Sequence, residues 1–166
     1  MILYGRAALY LGFDAAPPEI AESKDVDAIV PLSDLGGFDE QFWKAQETTN
    51  ELLRPRGLYI THLFRADQVF LRAQWEQQIV SLQRPTTKWL RLFRPATLDL
   101  ILTKMMRGED PQDLADIDFM VRHDKISLRQ IEAAFADVVL PDVSDLHDMF
   151  NRAQPHVRSI VQNVGC

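Results

Sequence analysis

Asp25 and Asp27 are the residues whose type and spacing first suggest chemistry. They flank Val26 in the run Asp25-Val26-Asp27-Ala28-Ile29-Val30, which alternates polar and apolar and stops at Pro31. A period of two predicts a strand. Side chains two apart on a strand share a face. Two carboxylates so placed repel each other unless positive charge sits between them. A divalent ion that prefers hard oxygen ligands suits the pair. Mg²⁺, or Mn²⁺ in its place, takes one or two carboxylates and completes its shell with substrate phosphates. The same triplet also occurs on solvated strand faces and at turn caps, so its surroundings decide its weight. Upstream, Ile2-Leu3-Tyr4 predicts a short strand, Gly5 a turn and Arg6 to Leu11 a helix. A glycine at such a turn lets backbone N–H groups approach phosphates, with the helix N-terminus aimed at them.

A second charged cluster lies downstream. Lys104 and Arg107 are three apart near the end of a predicted helix, and Asp113 and Asp116 three apart near the start of the next. Such pairs share a helix face. Facing each other across the Gly108–Asp110 turn, they would form an ion-pair network that fixes a helical hairpin. The functional alternative puts Lys104 beside a triphosphate as a point charge.

The opening Gly5-Arg6-Ala7-Ala8-Leu9, the Asp25-Val26-Asp27 triplet and the Leu98–Gly108 block followed by Asp113-Leu114-Ala115-Asp116-Ile117 carry a resemblance. Together they resemble the nucleotidyltransferase superfamily, in particular the bacterial minimal nucleotidyltransferase-like proteins found in abortive-infection and toxin–antitoxin operons. The resemblance runs from about Ile2 to Val121. It implies a mixed α/β (α+β) sheet with flanking helices and a C-terminal helical part. It also implies Mg²⁺-dependent transfer of a nucleoside monophosphate from a nucleoside triphosphate to an acceptor hydroxyl. Asp25 and Asp27 would hold metal, and Gly5, Arg6 and Lys104 would meet the nucleotide. A further carboxylate is required, and Asp67 is the candidate, with Glu76 the weaker choice.

Three departures from the family pattern bear on activity. Arg6 stands where the family usually has Gly or Ser, and would either block phosphates or bind them. Asp67 also fits a plain hairpin turn. The sequence opens on its first strand, without the helix that precedes it in the family. The expectation is an undercovered first strand and helix, buried by a second copy or a partner protein. The alternative to catalysis is a degenerate member acting as a binding or regulatory protein, or as a toxin–antitoxin component.

Other elements must position these residues. Phe38, Phe42, Ala45, Thr49 and Leu52 recur at helical spacing and predict a helix over this span up to Arg54-Pro55. A strand follows over Leu58–Phe64, then a hairpin turn at 65–68 and a returning strand over Val69–Arg72. Another strand is expected over Thr87–Phe93. From Pro95 onward the pattern turns helical: Leu98, Ile101, Leu102 and Met105 form one stripe, and Leu114, Ile117 and Val121 the next. Asp110 reads as an N-cap. Ser127 with Gln130 makes a capping-box pattern ahead of Ile131, Ala134, Phe135 and Val138. Pro155 should break or kink the last helix. The division expected is a core over 1–94 and a helical part over 95–166, within one compact unit. Leu3, Val26, Ile29, Leu58, Ile60, Leu98, Ile101, Leu102, Leu114, Ile117 and Phe135 are the expected core.

Composition bounds the rest. The 166 residues are 46% hydrophobic and carry a net charge of -6. An acidic chain disfavours general phosphate-backbone binding, although Arg84, Lys88, Arg91 and Arg94 crowd one short region. Cys166 is the sole cysteine, which excludes an internal disulfide and a Cys-based zinc site. No run reaches the roughly 20 apolar residues of a membrane span. Arg6 and the lack of a small-residue cleavage pattern argue against a signal peptide, so a cytoplasmic location is expected. His62, His123, His147 and His156 show no metal spacing. Trp43, Trp75 and Trp89 fit core or partner interface better than base stacking.

Overall fold

A computed structural model describes residues 1–14, 16–21, 25–83 and 90–164, with the backbone alone at 21, 25, 61 and 62. Its α/β architecture divides into two compact units. The first comprises Met1–Ala66 and Val80–Arg94, the second Asp67–Ile79 and Pro95–Cys166. One boundary falls at Arg94, where the helical pattern was expected to begin. Residues 67–79, expected in the sheet-bearing core, belong with the helices instead.

In the first unit, β1 (Ile2–Tyr4) leads directly into α1 (Gly5–Gly12). A helical turn, α2 (Pro18–Ala21), comes next, and β2 (Asp25–Val30) follows. A 3₁₀ helix over Leu32–Gly37 ends at Gly36-Gly37. Then come α3 (Glu40–Leu53) and β3 (Tyr59–Arg65). Gly57, at φ 65°, supplies the left-handed residue between them. β2 lies antiparallel to β1 and parallel to β3.

The hairpin expected after β3 does not form. The chain passes through a 3₁₀ turn at Ala66–Gln68 into the second unit. There β4 (Leu71–Arg72) pairs with Val138–Val139, far along the chain. A 3₁₀ turn at Trp75–Gln78 buries Trp75, and β5 (Val80–Ser81) returns the chain to the first unit. Of the described part of the strand expected over 87–93, only Phe93 belongs to β6 (Phe93–Arg94). Residues 90–92 form none, and Arg84, Lys88 and Trp89 lie outside the described residues. The five-stranded mixed sheet has the order β3-β2-β1-β6-β5.

Helix α3 fills the span expected of it, ending ahead of Arg54-Pro55. None of its residues is buried, and Leu52 is 75% exposed. The helix serves the sheet edge. Asn50 Oδ1 accepts from the Ile60 N–H at 2.7 Å while Asn50 Nδ2 donates to the Ile60 carbonyl at 3.0 Å. Gln46 adds a second donor to that carbonyl. A side-chain amide thus imitates a strand neighbour and blunts the edge.

The second unit continues with α4 (Thr97–Lys104), a 3₁₀ turn Met105–Arg107, and α5 (Pro111–Asp124). Then follow α6 (Leu128–Asp137), β7 (Val138–Val139) and α7 (Ser144–Val164). The caps follow the sequence: Asp110 accepts from the Gln112 and Asp113 N–H groups, and Ser127 with Gln130 completes a capping box. Pro155 does not end α7, which runs through it as one helix. Lys125 closes α5 in the left-handed conformation at φ 52°.

The core is built around Leu3, Leu9 and Ile29 in the first unit and Phe70, Ile101, Leu102, Met105, Ile117 and Ile131 in the second. Val26, Ile60, Leu98 and Leu114 are only half-buried, and Leu58 is exposed. Arg94, expected in a basic patch, is buried with its guanidinium 4.2 Å from the Phe13 ring centroid. It passes close over Gly12, where a Cβ would meet Arg94 Cδ at 2.5 Å. Among the described residues, no helix is long and apolar enough to cross a membrane.

Candidate functional site

The β1–α1 turn gathers two of the residues singled out by sequence. Gly5 opens α1 at φ 65°, a conformation that costs little only for glycine. Across the ladder Tyr4 pairs with Asp27. The carboxylate of Asp27 therefore lies over the turn: a Cβ built on Gly5 would stand 3.4 Å from Asp27 Oδ2. The Tyr4 side chain provides no hydrogen-bonded cap to α1, and the first turn contains no acidic residue. The partial positive charge of this helix end faces a carboxylate brought from β2.

The other side of β2 is irregular at the same level. Val26 pairs with Ile60 and Ala28 with Leu63, so two steps on β2 answer three on β3 opposite Asp27. Such an extra residue bends a strand and re-aims its neighbours, and it recurs beside functional sites. Asp25 lies on β2 as expected, paired with Tyr59, but its side chain is outside the described residues. So is that of His62. Arg6 directs Nη1 to the Glu19 carbonyl at 2.7 Å.

Asp67 and Lys104 belong to the second unit. Asp67 is exposed within the 3₁₀ turn that replaces the hairpin, and Glu76 is exposed on the next one. Lys104 is buried in the anticipated ion-pair network. Its Nζ donates to Asp113 Oδ1 at 2.9 Å and to Asp116 Oδ2 at 2.6 Å. Arg107 Nε donates to Asp113 Oδ2 at 2.6 Å. Burial alone would raise Asp113. The hydrogen bond from Arg107 and the attraction of Lys104 outweigh it and hold the carboxyl below its usual range. Asp113, Asp116, Ile117, Met120 and Val121 form one inward stripe of α5, so the two acids occupy core positions.

A second buried ion pair escaped the sequence reading. Asp99, fully buried on α4, accepts from the Arg72 backbone N–H at 3.0 Å and from Arg72 Nε and Nη2 at 3.0 and 2.7 Å. That hydrogen bonding is the main cause of the raised Arg72 pKa. The pair ties β4 to α4 across 27 positions, and no local spacing announces it. Among the described residues, His123 Nδ1 meets Asp124 Oδ1 and His147 Nε2 meets the Pro141 carbonyl. No protein-family model, curated protein or solved structure matches the chain.

Proposed function

We propose that the β1–α1 turn and the acidic strand β2 bind a nucleoside triphosphate with Mg²⁺ or Mn²⁺, as in a nucleotidyltransferase. The observation that carries this reading is the Asp27 carboxylate held against the left-handed Gly5 at the opening of α1. The residues suit the group. Asp27 offers hard oxygen to a divalent ion, and the glycine leaves room at the helix end where phosphates gather. Asp25, two residues away on the same strand, would share the ion. A divalent ion there would neutralise the triphosphate and polarise an attacking hydroxyl. The chain's own part is to fix the carboxylates on a strand paired on both sides, and to present backbone N–H groups through a turn with no Cβ. The acceptor would be a hydroxyl compound.

The second reading is a degenerate, binding-only member of the same fold. It is favoured by Arg6, which stands where the family usually has Gly or Ser and donates Nη1 to the Glu19 carbonyl. Among the described residues, no three His, Cys, Asp or Glu side chains gather to hold a metal. Electron paramagnetic resonance of Mn²⁺ distinguishes the two readings. Under the first, Mn²⁺ is immobilised weakly by the protein alone and strongly once a nucleoside triphosphate is added. Under the second, the triphosphate produces no immobilisation beyond its own.

A further inference from the structure

The first unit carries an apolar surface unrelated to the turn at Gly5. Beside the sheet lies a cleft of about 260 Å³ whose walls include Ile2, Val30, Leu63, Phe38, Phe42 and Leu90. The segments that bring Asp34, Phe38 and Phe42 to the cleft also carry exposed apolar side chains: Leu32 is 50% accessible, Leu35 39% and Trp43 48%. Phe38, Phe42 and Trp43 form one aromatic cluster, with ring centroids 4.4 to 6.0 Å apart. Gln46 and Asn50 anchor α3 to the edge strand, and Trp43 on the same helix remains exposed. Contiguous apolar surface of this kind marks an interaction site, and exposed tryptophan is typical of binding hot spots.

Charge selects the occupant. Asp34 lines the cleft, and Asp39 and Glu40 lie in the chain between its wall residues Phe38 and Phe42. A two-fold contact between copies of this chain would set these acids against themselves. A partner with the opposite sign gains both steering and register. We infer that this face docks a basic amphipathic helix of another protein, its apolar stripe in the cleft and its Lys or Arg residues against the acidic rim. The inference stands apart from nucleotide binding, since none of its residues belongs to the Gly5 turn.

The test uses fluorescence anisotropy with a labelled amphipathic helical peptide of Leu and Lys, about five turns long. A Ser/Lys peptide of equal length and charge is the control. The full chain should bind the Leu/Lys peptide at least about tenfold more tightly than the control, and added salt should weaken binding. Trp43→Ala, at an exposed position, should weaken it about tenfold or more. Asp34→Lys with Glu40→Lys should do the same and should improve binding of a Leu/Glu peptide. Circular dichroism verifies that each variant is folded. Equal binding of both cationic peptides, or binding unchanged by Trp43→Ala and by the charge reversal, would overturn the inference. So would sedimentation showing a homodimer that Trp43→Ala dissolves.

Discussion

The two units each hold a pair of closely spaced aspartates, and they use them differently. Asp113 and Asp116 take core positions on α5, and cations on the preceding helical segment meet them: Lys104 reaches both, and Arg107 reaches Asp113. Their charge is matched inside the fold. Asp27 is half-buried and set against a glycine turn at the opening of a helix, where an anionic ligand would also be drawn. The lesson is that spacing alone does not separate a structural acid from a functional one. What distinguishes the two pairs here is their setting: Asp113 and Asp116 hold core positions against buried Lys104, whereas Asp27 is set beside the Gly5 turn at the start of α1.

The largest effect should come from breaking the matched pair. Lys104→Met leaves two carboxylates buried without their ammonium, and should cost about 3–5 kcal/mol in a urea denaturation. Asp25→Asn with Asp27→Asn should by contrast leave stability within about 1 kcal/mol. Comparable losses in both would erase the distinction between the two aspartate pairs.

Next in size is Gly12→Ala in the first unit. The new methyl would meet Arg94 Cδ at 2.5 Å and Nε at 2.6 Å, and Arg94 is buried. Overpacking of this sort costs about 1–3 kcal/mol. An unchanged thermal midpoint would show that the Arg94 side chain can step aside.

Acid should reveal the second unit's dependence on charge. Asp113 has its pKa depressed in the fold. Its contribution is therefore complete above its unfolded value, about 3.9, and lost as pH falls through the lower folded value. Denaturation followed from pH 6 to about pH 2 should show a loss that Asp113→Asn flattens. The same slope in wild type and variant would contradict this.

The smallest effect is a gain. Lys125 holds φ 52° at the end of α5, where glycine avoids the Cβ penalty. Lys125→Gly should raise stability by up to about 1 kcal/mol, read from the denaturation midpoint. A loss would mean that the lysine stem contributes more packing than strain.

Sequence legibility follows the range of the interaction. β2, the Asp110 cap and the Ser127–Gln130 box lie in local patterns, and the structure places them there. The Lys104–Asp113 contact spans only a short turn, so helical spacing exposed it as well. The burial of Asp113 and Asp116 was also available, since they share a helical stripe with Ile117, Met120 and Val121. Long-range choices were not. The partner of Leu71 is Val139, and Arg72 finds Asp99, so a local reading saw a hairpin instead. α3 was legible as a helix from its spacing, but its tie to the sheet edge through Asn50 and Gln46 was not, because it depends on where the Ile60 backbone lies. At the candidate site, Gly5 and Asp27 were legible as separate motifs. Their contact required the antiparallel register of β1 and β2, which no single motif contains.

The proposed function requires Asp27 and its strand neighbour Asp25 to be the acids that face a ligand. Isothermal titration calorimetry with a nucleoside triphosphate and Mg²⁺, on wild type and on the Asp25→Asn, Asp27→Asn double variant, tests this most directly. Wild type should bind, more tightly with the ion than without it, because the phosphates and carboxylates share its coordination shell. The double variant should remain folded and lose the metal-dependent part. Equal metal-dependent binding by both proteins, or none by folded wild type, would contradict it.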